Sequence, residues 1–281
     1  MTTHLGTVGE LWRYPVKSML GEQVTSIGLT NLGVDGDRRF ALRDLTNNKI
    51  VSSKQPKFGS KLLLINARIN EADNNVEITV GGTTYRASET EAINAALSEL
   101  LERPVAFVSA TANDETYESY WPEMEGLALS DVTTDFPIGM FTAKGTFTDL
   151  AALHLVTTTS IAALRALLPD TLIDVRRFRP SIVIDSSNCA FASTQTFIEN
   201  DWVQKTLTVG HAEIALSLAA PRCIMTTLAQ PELPQAKEVL QALAQHNRIA
   251  FDGFGNFACL GVYAEVTKPG SIAIGDAVTL N

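Results

Sequence analysis

Residues 221–227 have the sequence Pro221-Arg222-Cys223-Ile224-Met225-Thr226-Thr227, which carries the most informative side chain of this 281-residue chain, the thiol of Cys223. The thiolate is the nucleophilic and metal-binding form of cysteine, and the neighbouring guanidinium of Arg222 favours that form. Soft sulfur ligands suit polarisable metal centres. A lone cysteine is more often a small buried apolar residue, so the rest of the chain must distinguish these two interpretations.

The composition predicts a folded protein that does not bind nucleic acid or an anionic membrane. Hydrophobic residues make up 45% and charged residues 19% of the chain, which is typical of a globular protein with room for one or two domains. The net charge of −9 comes from 22 basic and 31 acidic residues, whereas nucleic-acid and membrane surfaces need a basic excess. This balance still allows one local basic pocket for an anionic ligand.

The location of the protein is predicted from its cysteines and its apolar runs. Cys189, Cys223 and Cys259 are far apart and odd in number, which favours reduced thiols in a cytosol over a disulfide framework. Residues 1–15 lack the charged-then-apolar pattern of a signal peptide, and no apolar run reaches membrane-spanning length. We therefore expect a cytoplasmic protein.

The hydropathy pattern predicts a strand-rich chain with three helices. Strands are predicted over 5–14, 24–29, 38–43, 61–69, 76–80, 83–85, 181–185, 206–209, 213–218, 258–266 and 271–280. Helices are predicted over 89–101, 158–168 and 234–247, the first with a capping box formed by Ser88 and Glu91. Gly81-Gly82 predicts a tight hairpin turn. Residues 110–150 show no firm periodicity and are interpreted as a long ordered loop.

Several common catalytic signatures are missing from the sequence. There is no GxSxG nucleophile elbow and no GxxxxGK[ST] phosphate loop. Gly253-Phe254-Gly255 starts like a dinucleotide fingerprint but lacks its third glycine. The four histidines have no zinc-site spacing to each other or to a cysteine. These absences argue against an α/β-hydrolase, a phosphate-loop enzyme and a nicotinamide-binding oxidoreductase.

Six short motifs remain, and their order along the chain is informative. They are Tyr14-Pro15-Val16-Lys17-Ser18, Gly36-Asp37-Arg38-Arg39-Phe40, the stretch 154–160, Arg177-Phe178-Arg179-Pro180, the stretch 222–227, and the stretch 261–266 followed by Pro269-Gly270 and Gly275-Asp276. In this order and spacing the set resembles the MOSC proteins that carry an N-terminal β-barrel-like extension. That family is related to the C-terminal domain of molybdenum-cofactor sulfurase and to the mitochondrial amidoxime-reducing component.

The resemblance covers nearly the whole chain and implies a fold. It implies a β-rich α+β protein: a MOSC β-barrel with flanking helices over 106–281, preceded by an N-terminal MOSC-like β domain over 1–105. Lys17, Ser18 and Arg38 of the first domain are then expected to reach the shared cofactor site.

The resemblance also implies a pyranopterin molybdenum cofactor, with Cys223 as the catalytic residue and the protein's own sulfur ligand to the metal. The other residues suit such an anionic group, because lysine and arginine supply positive charge and a helix start supplies free N–H groups. The predicted cofactor contacts are Lys17, Ser18, Arg38, Thr157, Thr158, Ser160, Arg179 and Ser181.

Each of these residues also has a plainer interpretation. Lys17 can be a solvated charge on a turn, and Thr157 and Ser160 can be helix caps and nothing more. Arg38 and Arg39 should point to opposite faces of a strand, so only Arg38 is assigned to the pocket. His154 is interpreted as a core histidine. Ser181 stands where reducing relatives commonly have asparagine, which offers an amide donor that serine lacks.

The function implied is reduction of N-oxygenated compounds such as N-hydroxylamines and amidoximes. The cysteines form no iron–sulfur cluster, so electrons should come from a separate donor, either a ferredoxin-like protein or a b-type cytochrome with a reductase. Two alternatives stay open: a carrier that hands over the cofactor without turnover, and a sulfur-transfer protein in which Cys223 holds a persulfide. Pyridoxal phosphate is associated with this family through the sulfurase's other domain, but this chain offers no clear lysine site for it.

Overall fold

The computed structural model describes residues 2–55, 57–110, 115–120, 133–139, 144–189 and 196–281, and it is rich in strands as predicted. The strands are β1 (Thr3–Arg13), β2 (Glu22–Val24), β3 (Ser26–Thr30), β4 (Gly33–Val34), β5 (Phe40–Asp44), β6 (Asn66–Asn70), β7 (Asn75–Val80), β8 (Thr83–Arg86), β9 (Val105–Ser109), β10 (Thr116–Tyr120), β11 (Thr133–Pro137), β12 (Leu153–Thr157), β13 (Ile182–Asp185), β14 (Thr206–Val209), β15 (Ala212–Pro221), β16 (Arg248–Phe251), β17 (Gly255–Lys268), β18 (Gly270–Ala273) and β19 (Ala277–Leu280). The helices are α1 (Thr90–Leu101), α2 (Thr158–Leu167) and α3 (Lys237–His246). Within the described residues no helix has both the length and the apolar character needed to cross a membrane.

The chain forms two compact units that interleave along the sequence. Unit 1 comprises residues 1–12, 23–35 and 151–281, and unit 2 comprises residues 13–22 and 36–150. This division differs from the predicted 1–105 and 106–281 because the first strand pairs with late ones: β1 lies between β13 and β19. The strand β9, at the predicted boundary, pairs with β5 inside unit 2.

Seven strands of unit 1 close into a barrel, which confirms the predicted fold class. In the order β12, β13, β1, β19, β14, β15, β17, each strand bonds to the next, and β17 bonds back to β12. Closure removes the open edges that invite aggregation. Gly261 permits the closing contact, because its φ is +78° and a Cβ there would lie 2.3 Å from the carbonyl oxygen of Leu155.

The barrel interior is filled by the alternate side chains of its strands. In β14, for example, Leu207 and Val209 are fully buried, while Thr206 and Thr208, which alternate with them, are partly exposed. The strands β12 and β13 are parallel and joined through α2, a connection that needs a crossover helix. Since Thr157 ends β12 and caps α2, this helix starts directly at the carboxyl end of a barrel strand.

Unit 2 has its own core between small sheets and one helix. The strands β6, β7 and β8 form one sheet, and β7 joins β8 through the predicted Gly81-Gly82 turn, whose φ angles of +56° and +85° only glycine adopts freely. Ile93, Leu97 and Leu101 line the buried face of α1. They pack against the apolar residues of β6, β7 and β9.

Four local predictions differ from the observed elements. Residues 59–64 form a 3-10 helix, so the strand predicted from Lys61 begins only at Asn66. Glu89, not Ser88, precedes α1, and no side chain caps that helix. Arg38 and Arg39 lie before β5, so the opposite-face argument does not apply to them. Within the predicted loop 110–150, the strands β10 and β11 form an antiparallel pair.

Candidate functional site

The predicted thiol lies at the start of a short turn that follows β15. We call Cys223 and the 3-10 helix Ile224–Thr227 the cysteine turn. The carbonyl of Cys223 accepts hydrogen bonds from the Thr226 amide at 3.2 Å and from the Thr226 hydroxyl at 3.0 Å. The Cys223 side chain is half-buried, whereas Thr226 is fully buried. The thiol therefore belongs to an ordered turn and is still reachable by a ligand.

Arg222 connects the cysteine turn to other segments of unit 1. Its Nη2 donates to the carbonyl of Phe178 at 3.0 Å, and its Nη1 lies 3.2 Å from Nε2 of His154. The same His154 nitrogen lies 3.0 Å from the carbonyl of Leu260, so it either accepts from the guanidinium or donates to that carbonyl. Arg222 thus ties the cysteine turn to the segment that carries Arg179, and its effect on the Cys223 thiol stays a prediction.

Arg179 is buried and has a strained backbone. Its side chain is only 8% exposed, and its φ is +54°. Ser18 and Arg38, two more of the eight predicted cofactor contacts, also have positive φ, at 66° and 47°. Such backbone conformations cost about 1–3 kcal/mol each outside glycine and concentrate at functional sites. The strain supports a functional interpretation of these three residues.

The start of α2 is already occupied by a carboxyl group of the protein itself. Glu199 accepts a hydrogen bond from the Thr157 amide at 2.6 Å and another from the Ser160 hydroxyl. The Thr157 hydroxyl caps the helix by accepting from the Ser160 amide at 3.1 Å. Burial raises the pKa of Glu199, which is 1% exposed. The geometry thus supports the capping interpretation of Thr157 and Ser160, and their role as cofactor contacts stays a prediction.

Thr158 and Ser181 differ in how available they are to a ligand. Thr158 is half-buried, and its hydroxyl lies 3.4 Å from Asp185 and 3.4 Å from Ser186. Ser181 is 1% exposed, and its amide donates to the carbonyl of His154 at 2.7 Å. His154 is buried and stacks edge-on against Tyr263, in line with the predicted core histidine. Thr158 is therefore the more available contact of the two.

In unit 2 the structure brings Lys17, Ser18 and Arg38 together. The two motifs that contain them are joined by backbone bonds, from the Arg38 amide to Tyr14 at 2.7 Å and from the Lys17 amide to Phe40 at 2.8 Å. Arg38 pairs with Asp37, and its guanidinium lies 5.2 Å from the Tyr14 ring centre. The Ser18 hydroxyl accepts from the Ser53 amide at 3.1 Å.

Lys17 is buried in an ion-pair network, so the solvated-charge interpretation is wrong. Its side chain is 5% exposed, pairs with Asp149 and donates to the carbonyl of Phe147 at 3.0 Å. Lys54 pairs with the other carboxylate oxygen of Asp149 at 2.9 Å. The ammonium groups of Lys17 and Lys54 outweigh the effect of burial and hold the pKa of Asp149 well below its usual range. Among the described residues, the cations Lys17, Lys54 and Arg38 thus meet the two carboxylates Asp37 and Asp149.

The charge of this cluster should depend on pH through Lys17. Burial, with the neighbouring charges of Lys54 and Arg38, lowers the pKa of Lys17 to about 8. An anion prefers the protonated lysine, so its affinity should fall as the pH rises above 8, by up to about tenfold per pH unit. We expect retention of bound pterin by the full chain to decrease between pH 7 and pH 9, measured as pterin per chain after dialysis. Lys17→Met should remove this pH step, and an identical step in that variant would contradict the assignment.

The other two cysteines, Cys189 and Cys259, differ from each other in burial. Cys259 is fully buried, and burial raises the pKa of its thiol to about 12, as predicted for an inert core residue. Cys189 is half-buried, as Cys223 is, so burial does not distinguish these two thiols. Among the described residues no three His, Cys, Asp or Glu side chains form a group that would hold a metal ion.

Two residues of unit 1, Cys223 and Arg179, have the chemistry that the implied cofactor would need. The half-buried thiol of Cys223 is a soft donor, and Arg179 belongs to a segment bonded to the same turn through Arg222 and Phe178. These two residues fit a metal group with an anionic periphery. Sequence reasoning missed Asp149, Lys54, Glu199 and the part played by Arg177, since their partners lie 39 to 132 residues away.

Comparisons with known proteins agree with this geometry. Residues 142–279 match the MOSC domain, and residues 5–118 match the MOSC N-terminal β-barrel domain. The chain is 24% identical to mitochondrial amidoxime reducing component 2 of Bos taurus, over 98% of this chain and 83% of that protein. It is 27% identical to molybdenum cofactor sulfurase of Oryza sativa, over 84% of this chain but only 30% of that protein. The solved YUAD protein from Bacillus subtilis aligns over 100% of this chain and 96% of its own, with 10% identity and a TM-score of 0.48.

The two matched domains together span most of the sequence and lie in the predicted order. The barrel closed by β12 and β17 and the six motifs are consistent with that match. This chain belongs to the MOSC proteins that carry an N-terminal MOSC β-barrel domain.

Proposed function

We propose that this chain is a molybdenum-cofactor-dependent oxidoreductase that reduces N-oxygenated compounds with electrons from a separate redox protein. The observation that carries the proposal is the Cys223 thiol, half-buried on an ordered turn and tied through Arg222 to the segment of the buried Arg179. The relatives named as amidoxime reducing components support the substrate class.

Two residues of unit 1, Cys223 and Arg179, have a defined part in this proposal. Cys223 supplies a sulfur ligand to the metal, and Arg179 offers a guanidinium to an anionic part of the cofactor. When bound, the cofactor supplies two-electron reduction chemistry that amino-acid side chains lack. The protein contributes orientation, because the cysteine turn is held by hydrogen bonds at both its ends.

Lys17, Ser18 and Arg38 are proposed as cofactor contacts on the strength of their charge and strained backbone. Lys17 is a buried cation and Arg38 a half-buried one, and Ser18 and Arg38 have positive φ. The pH dependence of pterin retention, described above, tests this part of the proposal independently of Cys223.

The reductase can be distinguished from a cofactor carrier by its electron supply. A reduced viologen dye delivers single electrons without a docking partner, so the molybdenum-loaded protein should convert benzamidoxime to benzamidine, using two electrons and two protons and releasing water. NADH alone should give no product until a reductase and a small redox protein are added. The measurement is benzamidine formed per chain by chromatography.

The control for this experiment is the same protein prepared without molybdenum, which should be inactive with the dye. A loaded protein that fails with the dye on a panel of N-hydroxylated substrates would contradict the reductase. The carrier would then be favoured, and its own test is transfer of the cofactor to an apo-molybdoenzyme.

A further inference from the structure

A second arginine of the same motif, Arg177, contacts the far end of the cysteine turn. Its side chain is 1% exposed, which makes it one of the most deeply buried cations of the described chain. Its Nη1 lies 3.5 Å from the carbonyl of Thr226 and 3.4 Å from that of Leu228. Thr226 belongs to the turn and Leu228 directly follows it. Arg177 therefore meets the carbonyl groups at which the turn ends.

The same guanidinium anchors the turn to two further segments. Its Nη2 donates to the carbonyl of Pro234 at 2.7 Å, and its Nε donates to the carbonyl of Leu172 at 3.1 Å. These two bonds have normal lengths, whereas the two to the turn are long. Arg177 thus joins the end of the cysteine turn to the loops that contain Leu172 and Pro234.

The partners of Arg177 are neutral backbone carbonyls, and burying its charge among them costs folding free energy. A buried charge met by neutral acceptors is less stable than a well-packed apolar side chain of similar size would be. In the described chain no carboxylate pairs with it, whereas its neighbour Arg176 forms a bidentate pair with Asp174 at 2.9 and 3.0 Å. Its bonds to four backbone carbonyls suit a side chain that fixes the geometry of the segments around it.

The cysteine turn needs partners for the carbonyl groups at its end. A single turn of 3-10 helix leaves its last carbonyls without partners and does not persist alone. Cys223 begins the turn, and Arg177 binds the carbonyls at its end. Meanwhile Arg222 binds the carbonyl of Phe178, one residue beyond Arg177. The two guanidinium groups therefore cross-link the same two segments in opposite directions.

We infer that Arg177 is a positioning residue: it fixes the end of the cysteine turn and so sets how the Cys223 thiol is presented. The functional value of this role rests on the proposed function, in which the thiol binds the metal. The geometric claim concerns the full chain without cofactor and can be tested there, so failure of one is distinguishable from failure of the other.

The three cysteines provide the test. Iodoacetamide labelling of the full-length, cofactor-free chain, followed by peptide mass spectrometry, gives a separate rate for each thiol. Cys223 reports the turn, half-buried Cys189 reports another part of unit 1, and buried Cys259 reports general unfolding. In Arg177→Ala and Arg177→Lys, the Cys223 rate should rise at least about fivefold, with the other two rates within about twofold of the unsubstituted chain.

Arg176→Ala is the matched control, because it removes an adjacent arginine of the same 3-10 helix that binds Asp174 instead of the turn. Its three rates should not change. Millimolar guanidinium ion should lower the Cys223 rate of Arg177→Ala toward that of the unsubstituted chain, whereas equimolar sodium ion should not. Unchanged Cys223 labelling in a folded Arg177 variant would overturn the inference. So would a parallel rise at all three thiols, or failure of both variants to fold, since Arg177 would then serve general stability.

Discussion

Replacing Cys223 by serine should reduce molybdenum-centred reduction of N-hydroxylated substrates by at least about a hundredfold while leaving the chain folded. A serine hydroxyl is a hard, weakly acidic donor and does not replace a thiolate at a soft metal centre. The side chain is half-buried and lies on the surface of a turn held by backbone bonds, so the exchange of sulfur for oxygen should not disturb the barrel. The measurement is turnover with reduced viologen and benzamidoxime, at equal protein concentration.

The other two cysteines are the controls for that experiment. Cys189→Ser and Cys259→Ser should keep full activity when folded, because neither residue belongs to the cysteine turn. Full activity of Cys223→Ser with molybdenum bound would show that this residue is not the sulfur ligand.

Removing the guanidinium of Arg179 should weaken retention of the cofactor about 30-fold, which corresponds to about 2 kcal/mol for one charge-assisted contact. The backbone of Arg179 has φ +54°, a conformation that glycine adopts at little cost and alanine does not. Arg179→Ala and Arg179→Gly should therefore lose the cofactor equally, while the glycine variant unfolds at the higher temperature. Bound pterin per chain after dialysis and thermal unfolding are the two measurements.

Arg39→Ala is the comparison for this pair, since Arg39 is exposed and lies 6.0 Å from the Phe40 ring. It should retain the cofactor as the unsubstituted chain does. Equal retention by Arg179→Gly and Arg39→Ala would remove the support for Arg179 as a cofactor contact. Restored retention in the glycine variant alone would show that the backbone, and not the charge, matters at this position.

Individual strands and helices were predicted because the hydropathy period is local, whereas the β-barrel was implied by the family resemblance. The pattern of β14 and the apolar stripe of α1 follow from neighbouring residues alone, and both elements were predicted at their observed places. The place of β1 was not predictable in this way. Its pairing with β13 and β19 joins residues more than 170 positions apart, and this pairing is why the compact units interleave.

The chemistry of the site was predicted where it depends on residue type and missed where it depends on long-range partners. Cys223 and Arg179 were singled out from their motifs. Cys223 is half-buried and Arg179 is buried, and their roles at a site stay predictions. Lys17 could be given no partner from sequence, because Asp149 is 132 residues away. Glu199, whose carboxyl group accepts from the Ser160 hydroxyl, is 39 residues away from it, so the sequence did not show this partner at the start of α2.

The backbone of Arg38 differs from the strand that was predicted for it. The residue was placed in a strand, where neighbours point to opposite faces, yet it lies in a turn with φ +47° before β5 begins at Phe40. Its backbone bond to Tyr14 brings it beside Lys17 for a reason that strand alternation does not supply. The position of Arg38 in unit 2 follows from this turn, and its role as a cofactor contact stays a prediction.

The central claim is that this chain binds a pyranopterin molybdenum cofactor, and elemental analysis tests it most directly. The full chain is purified from cells that make the cofactor, its molybdenum is measured by mass spectrometry, and its pterin is identified by fluorescence after oxidation. We predict about one molybdenum and one pterin per chain, with both lost after unfolding and dialysis. A folded chain from the same cells that contains neither molybdenum nor pterin would contradict the account.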